Sequence, residues 1–204
     1  MNTVIVLFYF SIISSVLPVL INIVYYKSLT FNCSDFKFWH QLLTFERLLS
    51  NIGILILMST IKNSIPIYHF SVLFEFLIIS KLFDLKNRTK FFNFLMFCGL
   101  LVFLSDLVLT SDLFHLNSLS SILTYCLIIA LGWNYLYSNN APKEKSTFLI
   151  SVFLYYLGSI FYLLFEQYAI ANEKVFDFGF IALAILSVLF NLSNTITTWS
   201  LLKK

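Results

Sequence analysis

Seven apolar segments follow one another along the chain, and each is long enough to cross a lipid bilayer. The hydrocarbon core of a bilayer is about 30 Å thick and a helix rises about 1.5 Å per residue, so about 20 apolar residues span it. The pattern predicts an all-α fold, a polytopic transmembrane helical bundle of seven spans. The predicted spans are residues 4–26, 39–61, 66–82, 91–110, 116–137, 148–168 and 176–202.

The composition excludes an ordinary soluble domain. Hydrophobic residues make up 59% and charged residues 11% of the 204 residues, with a mean hydropathy of +0.88, whereas soluble domains carry about 25% charged residues. Seven spans with short connections fill nearly the whole length, so we expect residues 1–204 to form a single membrane domain. The net charge of +3 lies at the ends of apolar segments, and we therefore expect no direct binding of nucleic acid.

The distribution of lysine and arginine predicts the orientation of the chain. With the N-terminus outside, ten basic residues fall on the cytoplasmic side and two on the outer side, and basic residues are enriched in cytoplasmic connections. Trp39, Trp133 and Trp199 would then lie at the inner interface, where indole rings are favoured. The sequence therefore predicts an N-out, C-in topology. Its cytoplasmic basic residues are Lys27, Lys37, Lys81, Lys86, Arg88, Lys90, Lys143, Lys145, Lys203 and Lys204, and its outer ones are Lys62 and Lys174.

The second predicted span carries a polar stripe in the stretch WHQLLTFERLLSN. His40, Thr44, Arg47 and Asn51 are spaced four, three and four residues apart, which places them on one face of a helix. Glu46 lies on the adjacent strip together with a serine four residues later. A charge at the bilayer centre costs at least about 2.5 to 3.5 kcal/mol, so such residues usually face the bundle interior and find partners.

Depth in the membrane predicts the partner of Arg47. Counted at 1.5 Å per residue, Arg47 lies about 13 Å from the inner edge of its span, and Glu75 about 13 Å from the outer edge of the next span. Both are therefore near the midplane, on consecutive antiparallel helices, and we predict an ion pair between them. Glu46 is the competing partner. Tyr68 and Ser71 share the Glu75 face and are candidates to hydrogen-bond its carboxylate.

Polar stripes also follow four other predicted spans. Small and amide side chains commonly form hydrogen bonds between membrane helices, and this packing role is the simpler interpretation of the stripes. The Arg47, Glu75 and Glu46 group is the stronger functional candidate, because intramembrane ionisable residues usually mark functional sites. The stripes are Ser11, Ser15, Pro18 and Asn22; Asn117, Ser121 and Thr124; Ser151, Tyr155, Ser159, Tyr162 and Glu166; and Asn191, Asn194 and Thr198.

A second group of ionisable residues is predicted near the outer face: His69, Asp106, Asp112, His115 and Glu166. These residues could form an acid/base or ion site, although polar residues at span ends are more often interfacial. His40 falls at the inner end of its span, whereas His69 and His115 fall near the outer face, and no HExxH or HxxxH motif is present, so we expect no metal site and no cofactor.

Two segments carry a resemblance to a known family. The segment NSIPIYHFSVLFEFLIISKLFDL (63–85), in which Tyr68 and His69 precede Glu75, resembles a span shared by small uncharacterised seven-helix integral membrane proteins of Bacteroidota. The segment FLISVFLYYLGSIFYLLF (148–165) is similar to that family's sixth span, in which a small residue follows a tyrosine pair. The resemblance implies a seven-helix fold in a bacterial inner membrane, draws attention to His69 and Glu75, and assigns no reaction. Small multi-span proteins of such bacteria also occur as accessory subunits of antiviral loci, including type VI-B CRISPR systems.

Three functions follow from these patterns. The leading hypothesis is a non-enzymatic multi-pass protein of the bacterial inner membrane, which acts through a partner protein, through self-association or through a small bound ligand around Arg47 and Glu75. The second is a pore or an ion or solute carrier, since polar stripes on several spans would line a wet path. The third is a lipid-modifying enzyme, which requires His69 and an outer carboxylate to lie within hydrogen-bond reach of each other.

Overall fold

The computed structural model describes six helices with defined ends and part of a seventh helical segment. The described residues are 3–24, 36–60, 65–84, 94, 97–101, 104–105, 118–139, 143–164 and 173–202, and all of them are helical. The six helices are α1 (Thr3–Val24), α2 (Phe36–Thr60), α3 (Ile65–Asp84), α4 (Ser118–Asn139), α5 (Lys143–Leu164) and α6 (Glu173–Leu202). The all-α prediction is confirmed for this part of the chain.

The helices coincide with the predicted spans but extend past some of their ends. The sixth span was predicted to begin at residue 148, whereas α5 begins at Lys143. The charged residues Lys143, Glu144 and Lys145 come before the apolar segment, yet they are already helical. Lysine and glutamate have high helix propensity, so the helix begins earlier than the apolar pattern does. The fourth predicted span, 91–110, is described only at residues 94, 97–101 and 104–105, which are helical.

Three of the described helices are long and apolar enough to cross a membrane. They are Phe36–Thr60, Ser146–Leu164 and Phe178–Leu201, and shorter apolar stretches occur at Tyr9–Val24 and Ser121–Tyr137. These lengths and compositions are those expected of a helical membrane protein.

The six helices form a closed ring in which each packs against its neighbours in chain order. Contacts run from α1 to α2, α3, α4, α5 and α6 in turn, and α6 packs back against α1. Helix α2 also touches α6 across the ring, so the interior is narrow. Side chains of α2 therefore reach several helices at once.

Helices α3 and α4 run parallel to each other. Tyr68 and Tyr125 hydrogen-bond through their hydroxyls at 2.8 Å, and the rings of Phe83 and Tyr135 lie 5.6 Å apart, centroid to centroid. Residue numbers at these contacts therefore increase in the same direction along both helices. Because the two helices are parallel, the end of α3 at Asp84 and the start of α4 at Ser118 lie at opposite ends of the pair.

The described part of the seventh segment lies beside these two parallel helices. A Cβ atom added at Gly99 would lie 2.8 Å from Leu127 Cδ1 on α4 and 3.0 Å from Phe76 Cζ on α3. A side chain at this position would force Leu127 or Phe76 to shift, so the glycine allows the close approach. The helical residues around Gly99 therefore pack closely against both α3 and α4.

Helices α1 and α6 are also parallel, whereas the pairs α2–α3, α4–α5 and α5–α6 are antiparallel. Ser11 contacts Ser187 at 2.8 Å, and Ser14 contacts Asn191 at 2.9 Å. Helices α1 and α6 therefore point in the same direction. The antiparallel contacts are Arg47–Glu75 and Gly53–Ile67 for α2 and α3, Tyr125–Tyr156 and Trp133–Phe153 for α4 and α5, and Thr147–Ser193 and Gly158–Leu186 for α5 and α6.

Polar side chains are buried inside the ring, while large apolar side chains cover its outside. Most of the buried polar groups lie on α1, α2 and α6, whereas the apolar core lies mainly between α3, α4 and α5. Exposed leucine, isoleucine and phenylalanine side chains occur on all six helices. This distribution suits a bundle surrounded by lipid, because lipid does not drive apolar side chains inward as water does. The buried polar residues on α1, α2 and α6 are Ser11, Ser14, Ser15, Asn22, His40, Gln41, Thr44, Arg47, Asn191, Ser193, Asn194, Thr197 and Thr198.

Candidate functional site

The site is centred on a buried ion pair between α2 and α3. Arg47 Nη1 lies 2.7 Å from Glu75 Oε1, and the two side chains are 6% and 7% exposed. Their sequence positions place them at equal depth on consecutive antiparallel helices, which is why the two charges meet. The ion pair predicted from depth is present, and Arg47 has Glu75 rather than Glu46 as its salt-bridge partner among the described residues.

Arg47 also reaches α6 across the ring. Its Nε donates to Asn191 Oδ1 at 3.3 Å, and its Nη2 donates to Ser187 Oγ at 3.4 Å. The Asn191 amide in turn donates to the Ser11 carbonyl at 3.1 Å and to Ser14 Oγ at 2.9 Å. Asn191, predicted as part of a packing stripe, therefore links the guanidinium to α1.

Two aromatic rings cover the guanidinium. Arg47 Cζ lies 4.6 Å from the ring centroid of Tyr155 and 4.5 Å from that of Phe190, distances at which a cation–π interaction is favourable. The two rings are stacked on each other with centroids 5.1 Å apart. The buried guanidinium therefore contacts a pair of stacked aromatic rings as well as the carboxylate of Glu75.

Both oxygens of Glu75 have partners, and the second partner differs from the predicted ones. Tyr156 donates its hydroxyl to Glu75 Oε2 at 2.8 Å. Tyr68 and Ser71 were predicted as candidates to hydrogen-bond this carboxylate, but the Tyr68 hydroxyl bonds to that of Tyr125 and Ser71 bonds to Glu46. Ser71 lies one helical turn before Glu75, within reach along the same helix, but its hydroxyl donates across to α2 instead.

Ser71 instead contacts Glu46. Glu46 Oε1 accepts hydrogen bonds from Ser50 Oγ at 2.6 Å and from Ser71 Oγ at 3.0 Å. Ser71 lies one turn before Glu75 on α3. Because α2 and α3 are antiparallel, it faces the part of α2 that holds Glu46 and Ser50. Glu46 Oε2 is buried and makes no hydrogen bond with the residues that the structure describes.

A small polar cavity, here called the polar chamber, lies beside the ion pair. Its volume is about 70 Å³, which accommodates a few water molecules or a small polar group. Asn51 Nδ2 is buried at its edge and has no hydrogen-bond partner among the described residues. The chamber is lined by Arg47, Ser50, Asn51, Ile54, Tyr68, Ser71, Val72, Glu75, Tyr125 and Tyr155.

His40 lies outside the chamber, two turns along α2 from Arg47. Its imidazole is fully buried, stacked on Phe36 with centroids 5.9 Å apart and edge-on to Phe148 at 5.1 Å. Asn194 is its polar neighbour on α6. Neither ring nitrogen makes a geometrically acceptable hydrogen bond within the described part of the chain.

His40 belongs to an inner polar cluster, defined as Asn22, His40, Gln41, Asn194 and Thr197. Each of these buried side chains has at least one nitrogen or oxygen without a hydrogen-bond partner among the described residues. The cluster is connected to the stripe of α2 through the 3.1 Å hydrogen bond from Asn22 to Thr44. Polar groups left in this condition cost about 1 to 3 kcal/mol each, so the cluster favours occupation by water or by a polar solute.

The predicted outer-face group lies largely outside the described residues. Asp106, Asp112, His115 and Glu166 are not described, and for His69 only its helical backbone position in α3 is described. Within the described ranges, no group of three histidine, cysteine, aspartate or glutamate residues is arranged to hold a metal ion.

Comparisons with known proteins found no matching family model, no matching curated protein and no matching solved structure.

Proposed function

We propose that this chain is a seven-span protein of the bacterial inner membrane, with its N-terminus outside and its C-terminus inside. The alternation of helix directions supports an odd number of crossings: α1 and α6 are parallel, and α3 and α4 are parallel across one intervening segment. The concentration of lysine and arginine in the predicted cytoplasmic connections supports the orientation.

The proposed activity is non-catalytic binding of a small ligand at the polar interior, which changes how the bundle contacts a partner. The observation that carries this proposal is the connectivity of Arg47. Its guanidinium contacts Glu75 on α3, Tyr155 on α5 and Asn191 on α6. A ligand that moves this one side chain therefore acts on four helices at once, counting α2 itself.

The chamber limits the kind of ligand. A volume of about 70 Å³ admits a polar head group or a few water molecules but not a whole metabolite. Hydroxyl groups of Tyr68 and Ser71 and the amide of Asn51 line it, so the part of the ligand that enters should form hydrogen bonds. A larger ligand must keep the rest of its body outside the chamber.

Native mass spectrometry of the purified protein tests this proposal. We expect a non-covalently bound species to co-purify with the wild-type chain and to be lost from the Arg47→Met/Glu75→Leu double variant, which replaces the pair by apolar side chains of similar size. The released species should have the same mass before and after prolonged incubation with the protein. Equal occupancy in both chains, or no bound species in either, would contradict ligand binding at this site.

A carrier is the second candidate, and the inner polar cluster favours it. The buried groups of Asn22, His40 and Asn194 without hydrogen-bond partners continue the polar stripe of α2 from Arg47 toward the predicted cytoplasmic end. Together with the polar chamber on the other side of Arg47, they outline a path interrupted by the ion pair.

Flux into proteoliposomes separates the two candidates. A carrier should accelerate the entry of urea, glycerol or protons over protein-free vesicles, and the double variant that removes the ion pair should change that rate. Rates equal to those of protein-free vesicles for all three probes would exclude a carrier of these solutes while leaving the binding proposal intact.

A further inference from the structure

A large groove runs between α2 and α3 on the lipid-facing side of the ring. Its volume is about 700 Å³, ten times that of the polar chamber. Its lining runs from residue 39 to residue 50 on α2 and from residue 67 to residue 81 on α3, so it extends for about 15 to 20 Å at 1.5 Å per residue. The apolar lining residues are Trp39, Leu42, Phe45, Leu49, Ile67, Phe70, Phe74, Leu77 and Ile78.

Polar groups occur at two places in this lining. Lys81 lies at the end of the groove that holds Trp39, whereas Glu46, Ser50 and Ser71 lie together in its middle. Ser50 and Ser71 also line the polar chamber. These three residues, joined by the hydrogen bonds of both serines to Glu46 Oε1, form a polar wall between the groove and the chamber.

The position of the polar wall excludes a phospholipid head group as its partner. Glu46 lies seven residues from Trp39 along α2, which places it about 10 Å deeper than the interfacial indole. A phosphate at this depth would lie in hydrocarbon beside a carboxyl group, at a high electrostatic cost. A head group that reaches the wall must be uncharged and must be able to form hydrogen bonds.

We propose that the groove binds a membrane-soluble quinone, with its isoprenoid chain along the apolar lining and its ring against the polar wall. The flat ring suits the aromatic side chains of Phe45, Phe70 and Phe74, which can stack on it or contact it edge-on. Serine hydroxyls donate hydrogen bonds to the ring carbonyls, and the hydroxyls of the reduced form donate to the Glu46 carboxyl group. This inference names the ligand class of the proposed binding function and rests on that function.

The ring position links the groove to the ion pair. A ring oxygen that takes a hydrogen bond from Ser71 competes with the bond from Ser71 to Glu46. Breaking that bond opens the wall toward the chamber, where Tyr68 and Asn51 supply further polar groups. The ligand thereby acts on the surroundings of Arg47 without its chain leaving the lipid phase.

Fluorescence of a single tryptophan tests the proposal directly. The Trp133→Phe/Trp199→Phe variant retains Trp39 in the groove, and the matched Trp39→Phe/Trp199→Phe variant retains Trp133, which is on α4, 67% exposed and in contact with Phe153. Decylubiquinone added to nanodiscs should quench Trp39 saturably, and it should quench Trp133 in proportion to its concentration in the lipid. Equal, unsaturable quenching of both tryptophans would overturn the proposal.

Two further variants in the Trp39-only chain test the contacts. Ser71→Ala should raise the half-quenching concentration about tenfold, the change expected for the loss of one good hydrogen bond. Leu77→Phe adds volume to the apolar lining of the groove and should abolish saturation. Unchanged quenching in both variants, with the fold verified by circular dichroism, would contradict binding in the groove.

Two controls identify other occupants and separate this proposal from the binding function. Saturable quenching by phosphatidylcholine with brominated chains, but not by decylubiquinone, would assign the groove to an acyl chain and overturn the quinone proposal. If neither probe binds and the protein forms dimers, the groove is assigned to a helix of a second copy of the chain, and the quinone proposal is overturned. If a species co-purifies in an Arg47- and Glu75-dependent manner but the quinone does not bind, the binding function stands and the quinone assignment fails.

Discussion

Tyr156 donates a 2.8 Å hydrogen bond to Glu75 Oε2, while Arg47 holds Oε1 of the same carboxylate at 2.7 Å. Three helices, α2, α3 and α5, therefore meet at one side chain. Hydrogen bonds to an ionised carboxylate are shorter and stronger than those between neutral groups. Glu75 is thus as much a packing centre of the bundle as one member of an ion pair.

Removing the tyrosine hydroxyl should weaken the bundle measurably. We expect Tyr156→Phe to lower the free energy of unfolding by about 1.5 to 3 kcal/mol, the range for a hydrogen bond to a charged group. Thermal unfolding in detergent, followed by circular dichroism, measures this loss. Tyr137→Phe is the matched control, since Tyr137 is 87% exposed, and it should change stability little. Equal effects of the two substitutions would show that the Tyr156–Glu75 bond does not stabilise the fold.

The ion pair could be predicted from the sequence, because a short connection places equal depths of consecutive helices side by side. The partner from α5 could not. Tyr155 and Tyr156 are neighbours in sequence and point about 100° apart on a helix, so their roles depend on the rotation of α5. The structure turns the Tyr155 ring onto Arg47 and the Tyr156 hydroxyl onto Glu75.

Other features depend on helix spacing, which the sequence does not specify. The polar wall contains Glu46, which was predicted only as a competing partner of Arg47, and Ser71, which was predicted to contact Glu75. Both residues were recognised as candidates for the buried polar site, but the direction of each side chain depends on how far apart α2 and α3 lie. The groove itself has no sequence signature, since its lining consists of ordinary apolar residues.

The asparagines of α6 offer a matched pair for testing the network around Arg47. Asn191 and Asn194 are both 1% exposed. Asn191 bonds to Arg47, Ser11 and Ser14, whereas Asn194 Oδ1 has no partner among the described residues. We expect Asn191→Leu to cost at least about 2 kcal/mol, because it leaves charged and polar groups without partners, and Asn194→Leu to cost less than half as much. Chemical denaturation in detergent compares them, and the reverse order would contradict the network.

The approach of α5 to α6 predicts a steric effect at Gly158. A Cβ atom at this position would overlap Leu186 Cδ1, so Gly158→Ala should destabilise the bundle by about 1 to 3 kcal/mol through overpacking. In a Leu186→Ala background the same substitution should cost nothing, because the space is then free. Gly53→Ala is the milder comparison and should cost less, since its nearest neighbour, Ile67 Cδ1, would lie 3.2 Å away and has to move by only a few tenths of an ångström. A cost at Gly158 that persists without the Leu186 side chain would rule out this contact as its cause.

Labelling of introduced cysteines tests the proposed topology. Cysteines at residues 63 and 172 should react with an impermeant thiol reagent added outside intact cells, whereas cysteines at residues 87 and 143 should react only after the membrane is permeabilised. This pattern follows from the excess of basic residues on the predicted cytoplasmic side. The opposite pattern would invert the orientation, and labelling of residues 63 and 87 from the same side would contradict the crossing by α3.

The central claim, that the Arg47–Glu75 pair is the working centre of the bundle, is tested most directly by a double-mutant cycle on the wild-type chain. Breaking a buried pair leaves a charge uncompensated and typically costs about 3 to 5 kcal/mol, whereas replacing both partners with apolar residues can be nearly neutral. Arg47→Met and Glu75→Leu should each lower thermal stability in detergent, and the double variant should recover most of the loss while losing its co-purified ligand. A double variant as unstable as the sum of the two single variants would show that the residues do not act as a pair, and one that is stable and still binds its ligand would reduce the pair to a packing role.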